Sequence, residues 1–285
     1  MLLLRQKIPV EEIPLNIFVA FCSNLNLLGT NKAKFSIRFA HYRMKIAIIG
    51  YGKMGKTIEQ VAIDRGHTIV ARIDNPDFMA TEIAGADVAI EFTQPDAAMG
   101  NILKCFEANV PVAVGTTAWY KDYDAVAEIA KTEGKGLFTA TNFSIGVNVL
   151  FHLNKQLAAM MNDFDEYNVT MTESHHLEKK DHPSGTAVTL AEGILSELDR
   201  KKKYVGLLEG QSADLSAFDL HIECKREPNV PGYHAITYSS EIDEITLSHN
   251  AKSRMGFAKG AVIAAEWLAG KKGVFGMNDL LNFKN

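Results

Sequence analysis

Met44–Gly55 reads MKIAIIGYGKMG. Lys45 to Ile49 form an extended, mostly apolar run. Gly50, Gly52 and Gly55 follow in a G-x-G-x-x-G pattern, and a helix-like run covers Lys56–Arg65. Strand, tight turn and helix in that order form the context in which this pattern marks a dinucleotide site. Gly50 permits the turn, Gly52 lets the backbone approach a pyrophosphate, and Gly55 allows close helix–strand contact. The helix N-terminus meets the phosphate charge. Without a ligand the same stretch is only a glycine-rich turn, so the flanking sequence has to decide.

Downstream, His67–Ile73 (HTIVARI) alternates like a second strand and ends at Asp74. An acidic residue there can bind both hydroxyls of the adenosine ribose. Asn75, Pro76 and Asp77 follow, with no arginine to meet a 2'-phosphate, so NADH is favoured over NADPH as the cofactor. Arg72 is the counter-evidence unless its side chain faces away. Asp87–Phe92 (DVAIEF) reads as a third strand, Ala97–Ala108 as a helix and Val110–Val114 as a fourth strand. The turns after these strands, Thr93–Pro95 and Gly115–Thr117, belong beside the nucleotide, because ligands collect at the carboxyl ends of parallel strands. Tyr123–Thr132 is helical and Gly136–Ala140 begins another strand.

Composition shifts near Asn142. Ile145–Met161 mixes a turn at Gly146 with a long helix whose Met160–Met161 pair suits packing. Phe164–Glu173 alternates, Ala187–Lys201 is helical, and strands are expected at Asp219–Arg226, His234–Ser240 and Glu244–Asn250. This middle region reads as an α+β domain with a mixed or antiparallel sheet. Helix returns at Ser253–Ala269, and Gly273–Leu281 is expected to end the chain as a helix packed on the nucleotide domain.

The second informative stretch is Glu173–Ala187, ESHHLEKKDHPSGTA. It places His175, His176, Lys179, Lys180 and His182 together, then Pro183, Ser184, Gly185 and Thr186 before an apolar helix. Pro and Ser suit a helix start, where unpaired N–H groups point outward. A substrate carboxylate can sit there, held by those donors, the Thr186 hydroxyl and the helix dipole. The basic cluster adds charge, so a small anionic substrate with more than one carboxylate is expected. Adjacent histidines in a strand face opposite ways, so at most one need act. No set of Cys, Asp or Glu joins them at zinc spacing, and no metal is expected.

The chain has 285 residues, 47% hydrophobic and 22% charged, enough for one large or two medium α/β domains. Residues 1–43 carry six Lys/Arg against two Glu, whereas the remaining 242 carry 24 basic and 32 acidic side chains. An acidic body disfavours nucleic acid as the main partner. Three cysteines without metal spacing fit a reducing, cytoplasmic setting. No apolar window is long enough for a transmembrane helix, so no membrane partner is expected. Residues 1–43 lack a period, apart from the weak strand-like alternation at Phe35–Phe39. They are expected to be an N-terminal extension, either a disordered leader or an over-extended gene start, with a real accessory segment as the alternative.

From Met44 onward the sequence resembles the dihydrodipicolinate reductase (4-hydroxy-tetrahydrodipicolinate reductase) family. The matching pieces are GYGKMG (Gly50–Gly55), EFTQP (Glu91–Pro95), VGTT (Val114–Thr117), NFSIGVN (Asn142–Asn148), ESHHLEKKDHPSGTA and SHNAKSRMGFAKGAVIAAEWL (Ser248–Leu268). The resemblance implies a Rossmann-like nucleotide domain over 44–141 and an α+β substrate and oligomerisation domain over 142–251. Residues 252–285 return to the first domain, and the assembly is a homotetramer. It implies NAD(P)H-dependent reduction of the dipicolinate ring in lysine and diaminopimelate biosynthesis. His175 would be the general acid/base and Lys179 the proton donor, with His176, Lys179, Gly185 and Thr186 on the carboxylates. Gly50, Gly52, Lys53, Met54 and Gly55 would hold the pyrophosphate and Asp74 the ribose. Phe92, Gly115, Thr116 and Thr117 would line the nicotinamide, with Arg254 near the cofactor and the hinge. The Asp74–Asp87 linker is shorter than the family commonly has. Two other readings explain the glycines: an amino-acid dehydrogenase, which leaves the His/Lys stretch unexplained, and a non-catalytic nucleotide sensor, against which that stretch argues.

Overall fold

Four of the five residues of β1 (Lys45–Ile49) are buried, because both of its faces are covered. The fold comes from a computed structural model that describes residues 43–283. The expectations for the N-terminal extension, including the strand at Phe35–Phe39, lie outside the described residues. Helix α1 (Lys53–Asp64) starts directly after Gly52, three residues earlier than expected, so Lys53, Met54 and Gly55 form its first turn. β2 (Thr68–Ile73), β3 (Val88–Glu91), α2 (Pro95–Glu107), β4 (Val112–Val114), α3 (Tyr123–Thr132) and β5 (Gly136–Thr139) follow.

Helix α4 (Ile145–Met161) contains Gly146 in its first turn rather than turning there, because Ser144 caps it by accepting from the Val147 N–H at 3.4 Å. Next come β6 (Asn168–His175), α5 (Gly185–Leu195), β7 (Lys203–Leu208), β8 (Asp219–Arg226), β9 (Gly232–Ser239) and β10 (Glu244–Ala251). Helix α6 (Met255–Leu268), β11 (Gly273–Phe275) and α7 (Met277–Leu281) complete the described chain. The closing stretch is therefore not one helix, since Gly273–Phe275 adds a strand beside β5.

Six strands form an all-parallel sheet in the order β11-β5-β4-β3-β1-β2. The order reverses at β1, which opens a crevice at the carboxyl ends of β1 and β3, where such sheets bind ligands. Ile46, Ile48, Val88 and Ile90 pack on one face under α1 and α6. Ala47, Ile49, Ala89 and Val112 pack on the other under α2 and α3. The fold is thus a Rossmann-like α/β sandwich with a second sheet of five strands, ordered β10-β9-β6-β8-β7. That sheet is mixed: β9 is antiparallel to β6 and β10, while β6, β8 and β7 run parallel. Helices α4 and α5 cover one of its faces through Leu150, Ala158, Leu190 and Ile194.

The chain leaves the first sheet after β5 and returns in α6. Gly260 of α6 lies so close to the linking segment that a Cβ there would come within 1.7 Å of the Phe143 carbonyl oxygen. Strand β7 was not expected, because KYVGLL follows a lysine run and is interrupted by Gly206. Gly206 is there because Pro183 packs on it, and a Cβ would come within 2.3 Å of the proline ring.

Candidate active site

The glycine turn and the ends of β3 and β4 meet in the crevice. Gly50 has φ +93°, a conformation that favours glycine, and a Cβ there would come within 1.9 Å of the Phe92 carbonyl oxygen. A Cβ on Gly55 would come within 2.2 Å of the Gly50 carbonyl oxygen, so this glycine seats α1 on the turn. Gly52 differs: a Cβ would meet nothing within 4 Å. The space is open at the N-cap of α1, which has no side chain capping it. The first-turn N–H groups therefore face an open position that suits a phosphate, and the residues present fit a dinucleotide.

The Phe92 ring lies over Gly115, where a Cβ would come within 2.1 Å of it, and 5.6 Å from the Phe143 ring. Thr116 is buried and accepts the Thr93 N–H at 2.7 Å. Thr117 is in the same turn. Asp74 is exposed immediately past β2. Arg72 is turned to Glu59, which accepts from its Nε at 2.9 Å and also takes the Tyr51 hydroxyl. Lys53 is exposed and Met54 packs against the core under α1. Arg254 is exposed at the N-cap of α6, where β10 gives way to the returning helix.

The second group of residues is built on β6. Val169, Met171, Glu173 and His175 fall on one face and are all buried, so the apolar stripe ends in two polar groups. Glu173 pairs in register with His234 of β9. Its two carboxylate oxygens accept the Ser184 N–H at 3.2 and 3.0 Å, and Arg226 Nη1 lies 3.8 Å away. His175 Nε2 is 3.5 Å from Glu173 and 3.4 Å from His234 Nε2, which faces Ser184 Oγ at 3.1 Å. Burial opposes a charge on Glu173, but hydrogen bonds from His175 and Ser184 outweigh it and bring its pKa to about 2. Burial, then the neighbouring His175, lowers His234 to about 4. The donor atoms of Glu173, His175 and His234 lie within 4.8 Å of one another, but the Glu173 oxygens are already engaged by the Ser184 N–H.

Ser184 also caps α5, its Oγ accepting the Ala187 N–H at 3.2 Å. Helix α5 thus begins at Gly185, two residues before the expected start, with Gly185 and Thr186 in its open first turn. Asn142 Nδ2 reaches Thr186 Oγ1 at 3.3 Å, tying that turn to the linking segment. Lys179 Nζ is held by Asp181 at 2.8 and 2.9 Å, and His176 is turned to Glu178 at 2.9 Å. Arg226 donates to the Lys179 and Asp181 carbonyls at 3.2 and 2.8 Å, pinning the loop between them.

Glu173, Arg226 and His234 were not singled out from the sequence. Their signal was a charged or polar residue on the inward face of a strand, as in V-x-M-x-E-x-H and H-x-I-x-Y.

Sequence models of the family described as dihydrodipicolinate reductase match residues 44–143 with their N-terminal part and 146–281 with their C-terminal part. The 4-hydroxy-tetrahydrodipicolinate reductase of Christiangramia forsetii is 48% identical over 248 residues, spanning 85% of this chain and 100% of that protein. That of Neisseria meningitidis serogroup A is 32% identical over 268 residues, 85% of this chain and 98% of that one. Among solved structures, a dipicolinate-bound dihydrodipicolinate reductase from Paenisporosarcina sp. TG-14 shares the fold with a TM-score of 0.66. It covers 83% of this chain and 99% of that one at 21% identity. With both halves of the family matched and such relatives spanned along their full length, the chain belongs to the dihydrodipicolinate reductase family, the 4-hydroxy-tetrahydrodipicolinate reductases of lysine and diaminopimelate biosynthesis.

Proposed function

We propose that this chain reduces 4-hydroxy-tetrahydrodipicolinate to tetrahydrodipicolinate with a reduced nicotinamide nucleotide, NADH before NADPH, in the cytoplasm and as a homotetramer. The observation that carries the reading is Glu173, which joins His175 to Ser184, the cap of α5. The proton-transfer group and the carboxylate grip are thereby fixed relative to each other, as catalysis by orientation requires.

The substrate loses its 4-hydroxyl as water to give the conjugated imine, and a bound nicotinamide would supply the hydride that C4 of that ring takes up. Gly50, Gly52, Lys53, Met54 and Gly55 would hold its pyrophosphate at the start of α1. Asp74 would take the ribose, with Arg72 already occupied by Glu59. Phe92, Gly115, Thr116 and Thr117 would form the wall behind the reacting ring, and Arg254 would close the hinge side. On the substrate, the first-turn N–H groups of Gly185 and Thr186 and the Thr186 hydroxyl would grip one carboxylate, and His176 and Lys179 the other. Lys179 Nζ would deliver the proton to C3, trading its bond to Asp181 for the substrate. Its positive charge stabilises the negative character that develops there first. His175 would tune that delivery from above the Glu173 carboxylate.

Residues 44–141 with 252–285 would act as the nucleotide domain and 142–251 as the substrate and oligomerisation domain, in line with the return of α6 to the first sheet. No described helix is long and apolar enough to cross a membrane. The decisive experiment is a coupled assay. The preceding synthase generates substrate from pyruvate and aspartate semialdehyde, and NADH and NADPH consumption are compared. Consumption of both, faster with NADH, is expected; consumption of neither ends the proposal. Light scattering tests the tetramer.

A further inference from the structure

Beneath the crevice lies a polar cluster that the reaction above does not use. Glu91 is the last residue of β3 and is wholly buried, flanked on the sheet by Ile49 and Val114. Its Oε1 accepts the Thr93 hydroxyl and, at 3.2 Å, Asn101 Nδ2 from α2. Asn101 Nδ2 also reaches Thr93 Oγ1 at 3.1 Å. The Thr93 N–H continues the chain to Thr116 Oγ1 at 2.7 Å. Glu91 Oε2 is buried without a partner.

Burial holds this carboxyl above its ordinary pKa, against the pull of its hydrogen bonds. The thiol of Cys105, on the same helix as Asn101, is buried nearby and adds no positive charge. An apolar side chain would fill the same space without the cost of desolvating a carboxyl. Buried titratable groups maintained at such a cost cluster at functional sites.

The network engages two turns. Thr93 follows Phe92 and Thr116 follows Gly115, the pair whose ring-on-glycine contact forms the wall of the crevice. The glycine turn packs on the Phe92 carbonyl and the Thr93 methyl, but makes no hydrogen bond to the network; its Gly50 N–H donates instead to the Ile73 carbonyl at 2.8 Å. We propose that Glu91 is a positioning residue for the nicotinamide half of the cofactor site. By holding Thr93, and through its N–H Thr116, it fixes the turn after β3 against the turn after β4, whereas the pyrophosphate loop meets this network by packing alone and takes its hydrogen bond from β2. This inference rests on the reading of the crevice as a nicotinamide site.

The test compares binding of NADH with that of ADP-ribose, which has the pyrophosphate and the adenosine half but no nicotinamide. Glu91→Ala should raise the Kd of NADH by about tenfold, the worth of roughly one hydrogen bond, and that of ADP-ribose by less than about twofold. Glu91→Gln keeps the Oε1 acceptor and should restore most of the NADH affinity. If Glu91→Ala does not fold, Thr93→Val removes the hydroxyl at constant shape and should show the same selective loss. Equal weakening of both ligands would reduce Glu91 to a structural role and overturn the inference, as would no weakening of either. Wild-type protein that bound no NADH would overturn the cofactor reading as well. Wild-type binding with an unchanged NADH to ADP-ribose ratio in the variants would overturn only the role of Glu91.

Discussion

Lys179 and the buried pair Glu173–His234 show how single residues divide the work. Lys179 Nζ is bound only by the exposed carboxylate of Asp181, so it can turn to a substrate at little cost. Lys179→Ala should lower kcat by about 100-fold or more while leaving the NADH Kd within about twofold. Steady-state kinetics with near-normal kcat would remove Lys179 from the proton step. Asp74 stands alone at the end of β2, so Asp74→Ala should weaken NADH well beyond NADPH in direct binding; equal losses would argue against the ribose contact.

The buried pair sets the acid limit of the fold. His234 takes up its proton near 6.5 when unfolded but only at about 4 when folded, so stability is lost as pH falls from the first value through the second. Glu173 drops from 4.5 to about 2 on folding, and its contribution is lost in turn across that lower range. Melting temperature should therefore fall on acidification from neutrality to about pH 4. His234→Gln should flatten the fall, and a level wild-type profile would contradict the assignment. The groups facing His234 are Glu173, His175, Lys179 and His249, and His249, held below its ordinary pKa by burial, adds to the same acid sensitivity.

At the scale of elements, the glycine turn separates fold from function. Gly55 is closed in by the Gly50 carbonyl, so Gly55→Val must push α1 off the sheet and should cost about 3 kcal/mol or more. Gly52 has open space and a negative φ of −77°, which any residue adopts. Gly52→Ala should therefore leave the unfolding midpoint within about 0.5 kcal/mol yet raise the nucleotide Kd by about tenfold, by blocking the phosphate. Thermal melts paired with titrations check both. The turn was legible in the sequence because its three glycines, the strand before them and the helix after them are contiguous, although Ile73 and Phe92 close it from farther along the chain. The start of α5 was legible for a related reason, since Ser184 and the open N–H groups after it are local features. Strand β11 was not: three residues carry no period, and only the free edge of β5 makes them a strand.

Across the molecule, the return of α6 is secured by Glu266. It accepts from Arg65 at 2.7 and 2.6 Å and pairs with His67 at 2.7 Å, while His67 Nδ1 accepts the Met44 N–H at 3.3 Å. One carboxylate thus ties the late helix to the end of α1 and the start of β2. Glu266→Ala should lower the urea midpoint by an amount worth about 2 kcal/mol, because it leaves a partly buried arginine and histidine unpaired. An unchanged midpoint would show the clamp to be idle. The sequence alone determined the dinucleotide turn, the order of strands and helices around it, and the basic loop that leads into a capped helix. Each of these is written in neighbouring residues through backbone freedom, side-chain period and local charge. Only the tertiary structure decided which polar groups share a buried space. Glu173 meets His234 because β6 and β9 pair, His175 and His234 being 59 residues apart in the chain, and Glu91 is linked through Thr93 to Thr116 because β3 and β4 lie side by side. Such contacts depend on strand register, which no local stretch encodes, and in the low-dielectric interior they set the charges that the chemistry uses.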